Sequence, residues 1–306
     1  MKTPAAFLLF FGVAAARAQT LAGGPPPSPT PSARPLTFHF NNFYLYDSNI
    51  NHSGDDPRET RGAVFGLQAL YRTPADRPEL ELSYEIARHF HTAEEWDRVS
   101  HNFRADWERR VSRDWAIETV GEVSLKGSTE DRDISDQYVF SPRVEYRVDR
   151  QNRLRGYAAY RIRKFEGDPD RDARNHYFGA EYAYRSGGVR RLDVGLRYEE
   201  NRAEAERHRY TRWTYYAQFT TPVTRRDRLD IEARYRPRRY QFRTIDHDDN
   251  VLRYDKNWIL SSALIHTFLA ARLDLSLEYR FETRSSNDAG KNFNEHSVGL
   301  GLGYHF

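Results

Sequence analysis

Three arginines at alternate positions, Arg234, Arg236 and Arg238, put three guanidiniums on one side of an extended chain, because successive side chains of a strand point to opposite faces. Even spacing recurs in Arg191 and Arg197 and in Arg155, Arg161 and Arg163. With the opposite sign it recurs in Glu81 and Glu85, in Asp106 and Glu108, and in Glu118 and Glu122. Charges held in rows along one face do electrostatic rather than covalent chemistry: they wet a surface, attract counter-ions and pair with their neighbours.

Residues suited to bond-breaking chemistry are sparse. His52 and Ser53 are the nearest approach to a nucleophile beside a base, but adjacent residues of an extended chain diverge, and no Asn or Asp at a definite spacing completes a triad. Asp168, Asp170 and Asp172 have the spacing of the first ligands of a calcium loop, and His247 sits among Asp246, Asp248 and Asp249. Neither group has the glycine or the distal bidentate glutamate of such a site, so both read as solvated acidic loops. The chain has no cysteine, hence no disulfide and no thiolate metal site. No motif points to catalysis, a cofactor, nucleotide or nucleic acid.

The elements that carry the charged rows are strands. Leu80, Leu82, Tyr84 and Ile86 alternate with Glu81, Ser83 and Glu85. Leu192, Val194, Leu196 and Tyr198 alternate with Arg191, Asp193, Gly195 and Arg197. Leu273, Leu275, Leu277, Tyr279 and Phe281 alternate with Asp274, Ser276, Glu278, Arg280 and Glu282. Wound as helices, these stretches would scatter charge around the whole cylinder and leave no apolar face to bury. Fourteen such segments can be counted, at about 36–46, 60–72, 79–91, 96–109, 114–126, 137–148, 152–165, 175–186, 188–200, 209–221, 227–242, 252–267, 271–284 and 293–306.

Composition narrows the class further. With 30% charged residues and a mean hydropathy of −0.85, a helical membrane protein is excluded. At 14% aromatic residues, 20 of them tyrosine, the chain is too aromatic for a disordered or coiled-coil protein. A transmembrane barrel reconciles the two, since each strand alternates a lipid-facing apolar residue with an interior polar one. A water-soluble barrel with its apolar face inward would leave an interior far too wide for fourteen strands' side chains to fill. The net charge of +3 is small, and 42 of the 47 basic residues are arginine.

Residues 1–18 read as a signal peptide: Lys2, an apolar run from Ala5 to Ala15, then Ala16-Arg17-Ala18 as a small-x-small cleavage site. That apolar run is far shorter than the ~20 residues a membrane-spanning helix needs. Residues 19–35 are proline-rich and without period, a periplasmic leader, and residues 36–306 are the barrel. The connections Thr73–Pro78, Arg110–Arg113, Asp149–Gln151, Gly187, Pro222–Arg226 and Phe268–Ala270 are short. Asp47–Glu59, Gly127–Asp136, Glu166–Arg174, Asn201–His208 and Arg243–Val251 are longer and polar. Short periplasmic turns and long external loops place both termini in the periplasm. Tyr46, Tyr71, Trp107, Trp115, Tyr138, Tyr184, Tyr198, Trp213 and Trp258, near strand ends, would form the interfacial girdles.

The chain after Pro35 thus resembles a bacterial outer-membrane β-barrel, a transmembrane antiparallel up-and-down barrel of about fourteen strands, and is similar to the porin-like members of that class. Its last strand, with Val298, Leu300, Leu302, Tyr304 and the terminal Phe306, resembles the signal read by the barrel assembly machinery. Tyr46-Asp47-Ser48-Asn49-Ile50-Asn51 is also similar to a turn in uncharacterised porin-like barrels and in barrels of polysaccharide or surface-lipoprotein export. The resemblance implies an outer-membrane location, contact with lipid and lipopolysaccharide, and a channel for small hydrophilic solutes. Polymer export is the alternative, which Tyr157 and Tyr216 at interior parity would serve, and a barrel enzyme with an external site a third. Fourteen strands ~4.8 Å apart and tilted ~40° give a backbone radius of roughly 14 Å, an aqueous bore. The expected channel-lining residues are Glu81, Glu85, Asp106, Glu108 and Glu122, with Glu118 beside them, on an acidic wall. Arg191, Arg197, Arg234, Arg236 and Arg238, with Asp193, Asp230 and Glu232 near them, line an arginine-rich one. The two walls would either set a transverse field across the bore or neutralise themselves through neighbouring ion pairs.

Overall fold

Alternation of apolar and polar residues over 12 to 14 positions leaves each segment one stable state, a strand whose two faces meet two different media. The computed structural model describes residues 35–49, 57–73, 79–92, 97–128, 134–186, 190–246, 248–268 and 272–306. The signal peptide, all of the leader before Pro35, His52, Ser53 and His247 lie outside these. The strands are β1 (Leu36–Asp47), β2 (Thr60–Arg72), β3 (Glu79–His91), β4 (Arg98–Arg110), β5 (Trp115–Ser128), β6 (Ile134–Arg147) and β7 (Asn152–Lys164). They continue with β8 (Ala173–Ser186), β9 (Arg190–Ala203), β10 (Tyr210–Pro222), β11 (Asp227–Ile245), β12 (Asp248–Phe268), β13 (Leu273–Ser286) and β14 (Phe293–His305). Each pairs antiparallel with its sequence neighbours, and β1 closes on β14 to complete a fourteen-stranded barrel without an edge.

The closing seam is held along its length. Phe38 and Phe306 exchange backbone hydrogen bonds of 3.0 Å in both directions. Ser297 Oγ donates to Asp47 at 2.8 Å, and Asn49 Nδ2 donates to the Asn294 carbonyl at 3.1 Å. Val298, Leu300, Leu302, Tyr304 and Phe306 are all exposed on the outer surface, Leu300 by 48%. The apolar side of every strand likewise faces outward, as Phe65, Leu67, Tyr84, Ile86, Val194, Leu196, Leu275 and Leu277 show. In water this band would be an extensive exposed apolar surface; in a bilayer it is the lipid contact. No helix among the described residues is long and apolar enough to cross a membrane, and the strands are the crossing elements.

Outward aromatic rings gather into bands. On β9 to β12, Tyr198, Trp213, Tyr215, Tyr235 and Trp258 form a chain of ring contacts with centroids 4.5 to 6.2 Å apart. Nearer the rim that carries the ends of the barrel, Trp115 packs on Tyr146 at 4.7 Å and Phe306 on Phe38 at 5.8 Å. The described turns at this rim are tight. In one of them Asp149 accepts from the backbone N–H of Gln151 and Asn152 at 2.7 and 2.8 Å and from Asn152 Nδ2 at 2.7 Å. Those donors hold its carboxyl below the usual carboxylate range.

At the far rim the structure departs from the sequence reading in one place. The segment expected as a loop, Arg243–Val251, is mostly ladder: β11 and β12 run on as a hairpin of 19 and 21 residues, well past their neighbours. A strand that has left the hydrocarbon has no apolar face to alternate, so its polar continuation carries no period-two signal.

Candidate channel interior

Which face of each strand points inward follows from burial. On β3, Glu81, Glu85 and His89 are shielded while Tyr84, Ile86 and Phe90 are exposed; on β11, Asp230 and Arg236 are buried while Ile231 is exposed. By this alternation Glu81 and Glu85 (β3), Asp106 and Glu108 (β4), Glu118 and Glu122 (β5), Arg191 and Arg197 (β9) and Arg234, Arg236 and Arg238 (β11) all face the interior. Interior acids outnumber arginines on β3 to β5, and interior arginines outnumber acids on β7 to β11.

Within each wall, however, the charges are cross-linked to near neighbours. Arg104 of β4 reaches Asp106 at 2.8 Å and Glu122 at 3.6 Å. Arg155 of β7 lies 3.8 Å from Glu118, 3.1 Å from Glu145 and 3.4 Å from Glu181, joining four strands. Arg72 pairs with Glu81 at 2.6 Å, Arg228 with Asp230 at 3.1 Å, and Arg236 with Glu282 at 3.9 Å. Arg191 pairs with Asp193, and Arg234 with Glu232. Pairs on the same strand or within two strands of one another are the arrangement that lets a polar interior exist at small cost, because each desolvated charge retains a partner.

The densest part of the interior, in the far half of β7 to β10, centres on Glu199. Its carboxylate is 0% exposed. It accepts from Arg212 Nε at 3.0 Å, Arg161 Nη2 at 3.3 Å, Asn175 Nδ2 at 2.7 Å and the Tyr210 hydroxyl at 3.2 Å. Asn175 also donates to Asn201 at 2.8 Å, which in turn takes a hydrogen bond from Arg163. A second group joins Arg280 and Asn257 to Glu282. Glu199, Arg212, Glu282, Arg280 and Arg104 were not singled out from sequence. Their parity was readable, but which residues meet depends on the register between strands.

Tyr157 and Tyr216 do face the interior, but their rings lie against the wall over Gly179 and Gly195, where a Cβ would collide with the ring. Tyr216 further donates to Glu181 at 2.6 Å. One face of each ring is therefore spent on the barrel's own backbone, an aromatic covering of strand glycines that pins register.

The acidic loop between β7 and β8 is also internally satisfied. Asp170 takes Arg207 at 2.6 Å, linking the β7–β8 and β9–β10 connections, and Asp172 takes Lys164 at 2.7 Å. Beside them burial, then Arg171, Arg207 and Arg243, hold the His208 imidazole below its ordinary range. Among the described residues no group of three or more His, Asp or Glu is placed to hold a metal ion. The fold does bring a serine hydroxyl to an imidazole in the interior, Ser100 Oγ to His89 Nε2 at 2.9 Å. His89 is 1% exposed and its Nδ1 has no acceptor, so the pair lacks the third group that would orient the base.

No family model matches the sequence, and no curated protein matches it. Solved structures do match in fold. The chain is similar to the outer-membrane channel DcaP of Acinetobacter baumannii, at 9% identity over 89% of this chain and 96% of that one, with a TM-score of 0.56. It is similar to OmpT, an outer-membrane protein of Vibrio cholerae, at 9% identity over 90% and 99%, with a TM-score of 0.51. The same holds for an anion-selective porin from Comamonas acidovorans, at 9% identity over 89% and 98%, with a TM-score of 0.51. The fold is that of the bacterial outer-membrane porins.

Proposed function

We propose that this barrel is a porin-like channel through which small hydrophilic solutes pass passively across the outer membrane. The observation that carries the reading is the division of the wall: every strand sends apolar side chains outward and polar or charged ones inward. An aqueous passage needs such a lining, and a lipid-facing surface needs the opposite one. The neighbours in fold include an outer-membrane channel and an anion-selective porin, which accords with the proposal. The packed ion pairs form the wall of the passage, and the surplus of carboxylates on β3 to β5 and of guanidiniums on β7 to β11 gives it a charge gradient. Charged walls favour hydrated solutes over apolar ones, since only the former exchange water for polar contacts without loss. Liposome swelling tests the proposal: vesicles carrying the protein should admit small sugars and amino acids at rates that fall with solute size. Vesicles that remain as impermeable as protein-free ones would overturn it.

A further inference from the structure

Past the rim, the β11–β12 ladder shifts register twice, between Arg239 and Thr244 and between Thr244 and Ile245, and the first shift is a bulge. Arg239 is opposite Tyr254, but the next paired residue, Thr244, is opposite Leu252, so residues 240–243 face the single residue Arg253. A bulge of this size bends the strand and re-aims its side chains. Tyr240 keeps the inward parity of Arg234, Arg236 and Arg238 and is 8% exposed, while Phe242, two residues on, is turned outward at 52%. The bulge is tied down by the Gln241 N–H donating to the Arg209 carbonyl at 3.1 Å.

The bulge gathers guanidiniums around the Tyr240 ring: Arg253 at 4.9 Å, Arg243 at 5.7 Å and Arg238 at 5.9 Å from its centroid. Arg284 of β13, over Phe293 at 4.7 Å, is the fourth; its charged neighbours are Arg238, Arg253 and Asp255. Asp255, 2% exposed, is already engaged by Arg253 through both oxygens at 2.9 and 2.8 Å and by the Ser286 hydroxyl at 2.7 Å. Asp288, a charged neighbour of Arg243, is the other carboxylate of the group. Arg238 donates to the Tyr240 hydroxyl at 3.2 Å and is the direct cross-strand partner of Arg212. Like charges opposite one another destabilise a sheet. Asp255 and Asp288 stand as carboxylate neighbours of Arg243, and Asp255 as that of Arg284.

We propose that Arg238, Arg243, Arg253 and Arg284 form a binding site for a small doubly charged oxyanion, of the phosphate or sulfate type, at the far mouth of the barrel. Guanidinium forks match oxyanions in geometry as well as charge, and a dianion has the charge and the number of oxygens to engage several guanidiniums at once. The side chains point into the barrel, so the ligand is a free solute. The site names a solute class for the channel reading and rests on that reading only for the ligand's route.

Equilibrium dialysis of the purified full-length protein against labelled inorganic phosphate, at low chloride in detergent, tests the site. Wild type should bind phosphate saturably at one site. The R243Q/R284Q variant should bind about tenfold more weakly, and D255N, which removes a competing carboxylate, should bind more tightly. R202Q, which alters an exposed arginine paired with Glu200 on the outer face, should leave binding unchanged. Heat-dependent gel mobility shows whether each variant is folded. Should R243Q/R284Q fail to fold, R243K/R284K keeps the charge and loses the fork, and should still weaken binding. The site is overturned by absence of saturable binding to wild type, by undiminished binding in both double variants, by equal weakening in R202Q, or by weaker binding in D255N. Conductance lost with phosphate binding intact would overturn the channel reading alone; conductance without phosphate binding would overturn the site alone.

Discussion

Replacing Glu199 with alanine removes the one carboxylate on which two arginines, an asparagine and a tyrosine converge. At ~3 Å and an effective dielectric constant of ~20, each ion pair is worth about 5 kcal/mol of Coulomb attraction, most of it offset by the desolvation of the partners. The loss of one partner is the costly case, because Arg212 at 1% exposure and Arg161 at 7% would remain buried without the Glu199 carboxylate. The expected destabilisation is ~3–5 kcal/mol. Glu199→Gln keeps an acceptor for Asn175 and Tyr210 and should cost less. The double variant E199A/R212A should cost ~1–3 kcal/mol less than the sum of the single ones, as coupled neighbours do. Urea titration of the refolded protein in detergent micelles, followed by tryptophan fluorescence and checked by gel mobility, reads these differences. A loss below about 1 kcal/mol in E199A, as for an exposed pair, would refute the reasoning, since it would mean that water replaces the carboxylate and that this part of the wall is not closed.

Changing Tyr304 and Phe306 together to serine should sharply reduce the yield of folded barrel in the outer membrane while leaving export to the periplasm intact, measured by cell fractionation; normal outer-membrane yield would contradict the assembly role of the last strand. Replacing Arg234, Arg236 and Arg238 with glutamine should raise cation over anion permeability in reversal-potential measurements, and neutralising Glu85, Asp106 and Glu108 should lower it. Both shifts should be largest near 0.01 M salt, where the screening length is ~30 Å, and small at 1 M, where it is ~3 Å. Gly195→Ala should push the Tyr216 ring off the wall and cost ~1–3 kcal/mol in urea titration, whereas the same change at Gly121, where a Cβ meets nothing within 4 Å, should be near neutral.

The period of two carried nearly all of the fold. β2 and β3 begin and end where the alternation does, at residues 60 and 72 and at 79 and 91, because the change of medium at each rim coincides with the change of pattern. The same alternation sorted interior from exterior, so the parity of Glu85 or Arg236 was legible. Partnership was not. Arg155 meets carboxylates from β5, β6 and β8, and that depends on stagger, which no single strand encodes. The bulge at residues 240–243 was hidden for a related reason: the sequence reads as strand to residue 242, and a slip of register against β12 is a property of the pair that β11 alone does not encode. The collar of Tyr157 and Tyr216 over glycines likewise needed the register, which brings Tyr157 opposite Gly179 and Tyr216 opposite Gly195.

The central claim is that the polar interior of this fourteen-stranded barrel conducts. The purified protein reconstituted in a planar lipid bilayer should insert in discrete steps of equal current, ohmic at low voltage, with conductance rising with salt. An assembled, heat-modifiable barrel that inserts yet passes no current at any voltage or salt concentration would contradict it.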